Sequence, residues 1–191
     1  MSSHPLILAI GDSLVAGYGL APPDSLPAQL ERRLRARHPA ARVINAGRSG
    51  DTSADVQTRL PRVLSGQATC PDLAIVQVGP NDVLRQVPPA ATRASLDALL
   101  LELGRCGVPV LLTTVTPPPL LRERATAYLG IHESVAAGHG AVLCPFFPPG
   151  VLGHADMVLA DRVHPNARAI GLVADALALV VTRMLERPSD R

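Results

Sequence analysis

The chain has 191 residues, 47% of them hydrophobic, and a formal net charge of +2. This length suits one sizeable core, so residues 1–191 are expected to fold as a single domain with a frayed tail at 188–191. No apolar run reaches the roughly 18–20 residues that a membrane span requires. Aromatic residues make up only 2% of the chain, which leaves few stacking partners and argues against nucleic-acid binding.

The N-terminus and the cysteines bear on the cellular compartment. The first apolar run is short for a secretory signal and leads directly into a candidate catalytic serine, Ser13. We therefore expect a cytoplasmic protein if Met1 is the native start, and a periplasmic or secreted one if a leader was removed. Cys70, Cys106 and Cys144 show neither metal-ligand spacing nor a disulfide framework, and are expected to be buried thiols.

Short apolar runs alternate along the chain with segments of helical periodicity, which is typical of an α/β fold with a parallel sheet. The runs predicted to be strands are 6–10, 41–46, 72–78, 108–115 and 141–144. The first two predicted helices have apolar faces formed by Leu26, Leu30 and Leu34, and by Val56, Leu60, Val63 and Leu64. Three further helices are predicted over 89–105, 121–139 and 165–187. Five strands at this spacing favour a three-layer, doubly wound, flavodoxin-like sheet with strand order 2-1-3-4-5.

The turns that leave the carboxyl ends of these strands carry residues suited to catalysis. In open α/β sheets such turns gather at one edge, where ligands bind. Ser13 follows the first strand and supplies a hydroxyl that needs a base, since a neutral serine is a poor nucleophile. His164 can be this base, and Asp161 can orient the imidazole and stabilise its cation. Pro165 restricts His164 to extended conformations, which projects the ring from a loop.

Acyl transfer also needs donors for the negative charge that develops on the substrate oxygen. The backbone N–H groups of Ser13 and Gly50 and the side-chain amide of Asn81 can supply them. Each residue also has an ordinary structural interpretation. Ser13 can cap a helix, Gly50 can shape a turn, and Asn81 can satisfy backbone groups. Catalysis is favoured because these residues and His164 fall on four different turns of one sheet edge.

Four sequence blocks carry a resemblance to a known family. They are Gly11-Asp12-Ser13-Leu14, the S-G-D-T-S loop around Gly50, Gly79-Pro80-Asn81-Asp82 and Asp161-Arg162-Val163-His164-Pro165-Asn166. In order and spacing they resemble the GDSL, or SGNH, hydrolase superfamily, and most of all its small bacterial acyl-CoA thioesterase I, arylesterase and lysophospholipase subgroup. Pro80 stands where that subgroup usually has glycine, and it removes a backbone donor and stiffens the loop. The G-x-S-x-G elbow of α/β-hydrolases is missing, because Val15 follows Leu14 where glycine is required.

The resemblance implies a serine esterase or thioesterase that hydrolyses carboxylic esters through an acyl-enzyme on Ser13. Asp161 and His164 would be the other catalytic residues, and Ser13, Gly50 and Asn81 would form the oxyanion hole. No metal and no cofactor are expected. Two other functions stay open: a carbohydrate O-deacetylase on the same scaffold, and a non-catalytic flavodoxin-like binder of a small molecule or nucleotide. Few aromatic residues disfavour the former, and the sequence has no P-loop or dinucleotide fingerprint for the latter.

Apolar residues near these motifs predict the substrate preference. The segment 145–159, with Phe146 and Phe147, precedes the last motif and is expected to form one wall of the site, and Leu120 and Leu121 a second. Such a groove favours medium-chain over acetyl esters, because each buried methylene contributes about 0.8 kcal/mol. The expected partner is a small-molecule ester or thioester, and the protein is expected to be a monomer or a weak homo-oligomer.

Overall fold

A computed structural model describes residues 4–117, 121–151 and 153–186. Its strands are β1 (Leu6–Gly11), β2 (Arg42–Gly47), β3 (Leu73–Gln77), β4 (Val110–Thr114) and β5 (Val142–Pro145). They form one parallel sheet in the order β2-β1-β3-β4-β5. The predicted strand order and fold class are confirmed.

Helices cover both faces of the sheet. They are α1 (Ser13–Ala16), α2 (Leu26–Leu34), α3 (Ser53–Ser65), α4 (Pro80–Leu84), α5 (Pro89–Arg105), α6 (Arg122–Ala125), α7 (Ile131–His139) and α8 (Ala167–Glu186). The helices α2 and α8 pack together on one face, and α3, α5 and α7 pack on the other. Among the described helices, none is both long and apolar enough to cross a membrane.

The central strands bury side chains on both faces. Leu8 and Ile10 of β1 join the core under α3 and α5, whereas Ile7 joins the core under α2 and α8. Successive side chains of a strand point to opposite faces. A continuous apolar run is therefore what a strand covered by helices on both sides requires.

The strand register places three turns at the same level. Gly11 at the end of β1 pairs with Gly47 of β2 and with Gln77 of β3. A Cβ on Gly11 would lie 2.1 Å from the Gln77 carbonyl oxygen, and a Cβ on Gly47 would lie 2.1 Å from the Ala16 nitrogen. Only glycine fits either position, and the turns that follow β1, β2 and β3 start side by side.

The predicted helix over 121–139 is interrupted in the structure. A 3-10 turn, Thr126–Tyr128, follows α6, and α7 begins only after Gly130. Gly130 has a φ of 78°, which ends the helical path because L-residues rarely adopt this conformation. The apolar periodicity runs across the break and conceals it in the sequence.

The last helix begins two residues later than the sequence predicts. Pro165 forms an isolated antiparallel bridge with Val158. Asn166 then accepts a hydrogen bond from the Ala169 N–H at 3.0 Å, which is the contact of a helix cap. The bridge fixes Pro165 directly after the bend at residues 162–164, which carries His164.

The prediction of buried thiols was wrong for two of the three cysteines. Cys70 and Cys106 are exposed, and Cys144 is partly exposed. All three thiols are free. Burial raises the pKa of the Cys144 thiol to about 11.

Candidate active site

Ser13 is the first residue of α1 and follows β1 after a single residue, Asp12. The Asp12 carboxylate accepts a hydrogen bond from the Leu14 N–H at 2.9 Å, which caps the helix. The helix ends after one turn at Gly17, which has a φ of 84°. Ser13 therefore lies half-buried on a short, closely held turn, and its N–H has no acceptor among the described residues.

The structure brings His164 and Asp161 to Ser13. His164 Nε2 lies 3.1 Å from Ser13 Oγ, and His164 Nδ1 lies 2.7 Å from Asp161 Oδ2. Asp161 Oδ1 accepts hydrogen bonds from the N–H groups of Val163 at 2.9 Å and His164 at 3.0 Å. These contacts, led by the Val163 N–H, lower the pKa of Asp161 to about 2. An ionised Asp161 keeps the imidazole proton on Nδ1, which leaves Nε2 free to accept the serine proton.

Gly50 and Asn81 lie on the two neighbouring turns. The Gly50 N–H has no acceptor among the described residues. Asn81 is the second residue of α4, after Pro80. The first N–H groups of a helix have no intrahelical partner, so Pro80 costs this turn no internal hydrogen bond. Asn81 Nδ2 donates one hydrogen bond to the Asp51 carbonyl at 2.9 Å, which orients the amide and leaves its second N–H for a ligand.

An ion pair connects these turns. Asp51 Oδ2 lies 2.6 Å from Arg59 Nε on α3, and Arg59 Nη2 donates to the Gly11 carbonyl at 2.9 Å. The Asp51 carbonyl also accepts the hydrogen bond from Asn81. Asp51 therefore links the turn that carries Gly50 to both of its neighbours.

Tyr18 contacts the imidazole of His164, a role that the sequence analysis missed. The two ring centroids are 4.3 Å apart and the ring planes are 34° apart. Gly17 and Gly19, with φ values of 84° and 70°, flank the tyrosine. A Cβ on Gly19 would lie 2.6 Å from Leu159 Cδ1. Two glycines around one aromatic residue, just after a candidate nucleophile, are the signal that could have identified Tyr18.

The crevice beside Ser13 and His164 is too narrow in this structure to hold a water molecule. It is lined mainly by apolar groups, those of Leu14, Tyr18, Leu20, Pro165 and Ile170. Within the described ranges, no group of three or more His, Cys, Asp or Glu side chains is placed to hold a metal ion.

Of the residues predicted as substrate walls, Phe146, Phe147 and Leu121 are not among the described residues that line this crevice. Phe146 is fully buried in the core that α2 and α8 form with the sheet. Phe147 is half-buried and packs edge-on against Phe146, with the ring centroids 4.8 Å apart. Phe146 is therefore a core residue, although the sequence predicts a substrate contact. Leu121 is half-buried directly before α6, and Leu120 lies outside the described residues.

A polar pair is buried beneath Ser13. Asp12 is 1% exposed and Gln77 is fully buried. Burial raises the pKa of the Asp12 carboxyl to about 6, against the opposing effects of the Leu14 N–H and the Gln77 amide. The amide is close enough to favour the charged carboxylate, yet Asp12 Oδ2 and both polar atoms of Gln77 lack a hydrogen bond of normal geometry among the described residues.

Known proteins resemble this chain in both sequence and fold. The family model of GDSL-like lipases and acylhydrolases matches residues 9–169. Esterase TesA of Pseudomonas aeruginosa is 36% identical over 164 residues, which cover 85% of this chain and 81% of TesA. Thioesterase 1/protease 1/lysophospholipase L1 of Escherichia coli K12 is 31% identical over 173 residues, which cover 90% and 81% of the two chains. The solved structure of AlinE4, an SGNH-hydrolase family esterase, matches with a TM-score of 0.77 at 41% identity, and covers 98% of this chain and 100% of AlinE4. The chain therefore belongs to the GDSL-like lipase/acylhydrolase family and is a carboxylic-ester hydrolase.

Proposed function

We propose that the chain hydrolyses carboxylic esters or thioesters through an acyl-enzyme on Ser13, with His164 as general base and Asp161 as the group that orients it. The observation that carries the proposal is the continuous contact from Ser13 Oγ to His164 at 3.1 Å and on to Asp161 at 2.7 Å. Both distances lie within the reach that proton transfer requires.

In acylation, Ser13 Oγ bonds to the carbonyl carbon of the substrate while His164 Nε2 takes the hydroxyl proton. The carbonyl electron pair moves to the oxygen, where the N–H groups of Ser13 and Gly50 and the Asn81 amide stabilise the negative charge. The intermediate then collapses, the bond to the alcohol or thiol breaks, and the imidazolium gives its proton to the leaving group. Asp161 stabilises the imidazolium in both steps.

Deacylation repeats the sequence with water as the nucleophile. His164 takes a proton from water, the hydroxide oxygen bonds to the acyl carbon, and the same donors stabilise the oxyanion. The bond to Ser13 Oγ breaks, the serine regains its proton from His164, and the carboxylic acid leaves. No further reactant is required.

The substrate that this site favours is a small ester or thioester with an apolar acyl group. The apolar side chains beside Ser13 support this class. The names of the relatives, esterase and thioesterase/lysophospholipase, cover both kinds of bond. Hydrolysis is expected to improve from acetyl to medium-chain esters, because each methylene that the acyl chain buries against apolar side chains contributes about 0.8 kcal/mol.

A fluorophosphonate probe tests the nucleophile, and an ester series tests the substrate. The probe is expected to label Ser13, and Ser13→Ala is expected to lower kcat by about 10⁴ to 10⁶. His164→Ala should cause a similar loss, and the double variant should be scarcely worse, because the two residues act in one step. Additive losses would mean that they act separately.

The ester series is p-nitrophenyl acetate, butyrate, hexanoate and decanoate. A maximum of kcat/KM at acetate would contradict the apolar acyl site and favour an O-deacetylase.

A further inference from the structure

Two arginines flank the turn that carries Gly50. Arg85 directly follows α4, and its N–H donates to the Asn81 carbonyl at 2.9 Å. Its side chain reaches across to Gly50, where a Cβ would lie 3.2 Å from Arg85 Nη2. Arg48 lies two residues before Gly50, and its N–H donates to the Gly11 carbonyl at 2.9 Å. Both arginines are exposed, beside a proposed oxyanion donor.

The positive charges of Arg48 and Arg85 are not balanced locally. Both favour the charged form of Asp55, whose pKa is lowered chiefly by hydrogen bonds from Thr52. Those bonds, from the Thr52 N–H at 2.9 Å and the Thr52 hydroxyl at 2.7 Å, occupy Asp55 Oδ2. Neither guanidinium forms a hydrogen bond or an ion pair with a side chain that the structure describes. Two cations therefore share the field of one carboxylate that is already in use.

Several other arginines of this protein are paired, whereas some, such as Arg62 and Arg124, have no ion pair among the described residues. Arg59, which also reaches the end of β1, forms a 2.6 Å contact with Asp51. Arg33 on α2, and Arg35 and Arg37 directly after it, each form a salt bridge to a carboxylate. An exposed, unpaired arginine is common on protein surfaces, but Arg85 lies directly against a backbone that the reaction uses.

The site thus has two sides of different chemistry. Leu14, Tyr18 and Leu20 line the crevice on the side of His164. The Arg85 guanidinium lies on the side of Gly50 and Asn81, and the Arg48 backbone lies in the same loop as Gly50. A guanidinium presents a planar set of donors that matches carboxylate and phosphate oxygens in two parallel hydrogen bonds.

We propose that Arg85, with Arg48, forms a subsite for an anionic group of the substrate, a carboxylate or a phosphate, on the oxyanion side of the scissile carbonyl. The inference rests on the ester hydrolysis proposed above and narrows its substrates to esters or thioesters that carry such a group. The anionic group can belong to the acyl part or to the leaving group of the substrate. In either case its carboxylate or phosphate oxygens would accept hydrogen bonds from the Arg85 guanidinium.

Two matched pairs of substrates separate these sources. The first pair is p-nitrophenyl pentanoate and mono-p-nitrophenyl glutarate, which differ by a carboxylate at the end of the acyl chain. The second pair is pentanoyl-pantetheine and pentanoyl-4′-phosphopantetheine, which differ by one phosphate of the leaving group. The measured quantity is kcat/KM of the anionic member divided by that of its neutral partner, for the wild type, Arg85→Gln, Arg48→Gln and both together.

Arg85→Gln is expected to lower this ratio about five- to twentyfold in one pair, mainly through KM, because charge-assisted hydrogen bonds are lost at an exposed site. The pair that responds identifies the part of the substrate that carries the anion. Arg105→Gln is the matched control: Arg105 ends α5, where its Nη1 lies 3.5 Å from Glu102 Oε2, and both ratios should be unchanged. Equal losses for anionic and neutral members would overturn the proposal, since they would mean that the guanidinium acts on the oxyanion or on the turn. Unchanged ratios in both pairs would overturn it as well. If the wild type hydrolyses none of the four compounds, it is the proposed function that fails.

Discussion

Tyr18 contacts His164, the residue proposed to transfer protons, through tilted aromatic rings. The ring centroids are 4.3 Å apart, within the distance at which an aromatic face attracts a cation. In the proposed mechanism the imidazole becomes cationic when it takes the proton of the serine or of water. Tyr18 is therefore placed to stabilise that form and to limit rotation of the ring.

Tyr18→Leu should lower kcat about two- to fivefold, because the aromatic face of an exposed site contributes roughly 0.5–1 kcal/mol to a cation. Tyr18→Phe keeps the ring and should stay within about twofold of the wild type. Steady-state kinetics with p-nitrophenyl butyrate measure both. If the two variants lost equal activity, the hydroxyl and not the ring would be the important group.

Asn81→Ala tests the proposed oxyanion donor. The amide is oriented by its 2.9 Å hydrogen bond to the Asp51 carbonyl, so its free N–H is preorganised. The substitution should lower kcat by about 10² to 10³ with KM little changed, since the lost contact strengthens only as the oxyanion forms. A rise in KM alone would instead assign Asn81 to binding of the ground state.

At the scale of elements, one buried carboxylate joins three helices. Asp82 of α4 is fully buried. It accepts hydrogen bonds from the Ser53 N–H at 2.9 Å and the Ser53 hydroxyl at 2.5 Å, at the start of α3. It also accepts one from the Thr92 hydroxyl of α5 at 3.0 Å. This cluster holds the turn that carries Asn81 against the turn that carries Gly50.

Asp82→Ala should lower the free energy of unfolding by about 3 kcal/mol or more, because it leaves several buried donors without an acceptor. Thr92→Val, which removes only one of those donors, should cost about 1 kcal/mol. Urea unfolding of both variants gives the comparison. Similar small losses in the two would show that the Ser53 donors find other acceptors.

At the scale of the whole molecule, both helix layers pack on the same sheet. We therefore expect residues 1–191 to unfold as a single domain, in one cooperative transition.

The buried Asp12 makes the stability of this domain depend on pH. Its pKa is raised from 3.8 to about 6 in the folded protein, so the folded state binds the proton more tightly than the unfolded state. Stability from this group is therefore present at low pH and is lost as pH rises from about 4 to about 6, in total about 3 kcal/mol.

Asp12→Asn should remove that loss and raise the free energy of unfolding at pH 7.5 by about 1–3 kcal/mol. The gain should be smaller at pH 4.5, where the folded wild type already holds the proton. Urea unfolding at the two pH values gives the test. A gain independent of pH would mean that packing or the Gln77 contact is responsible, and not the charge.

The strand order and the motif blocks could be predicted from the sequence because both depend on local patterns. Alternating strands and helices lead to a parallel sheet, and a parallel sheet collects the turns after its strands at one edge. Ser13, Gly50 and Asn81 each follow a strand directly, so their proximity was predictable. Helix α5 also has its predicted bounds, since Pro88 precedes it, Pro89 begins it and Gly107 lies shortly after its end.

Other features depended on contacts between residues distant in the sequence. Phe146 and its neighbour have the same aromatic side chain, and only the packing of α8 on the sheet decides that Phe146 is buried. The contact of Tyr18 with His164 depends on how two separate loops meet. In the sequence Asp82 is only one residue of a motif, whereas its hydrogen-bond partners lie at the starts of two other helices. Local sequence determined which turns reach the sheet edge, whereas tertiary packing decided which side chains meet there, because burial and side-chain contacts are set by elements that no short stretch of sequence contains.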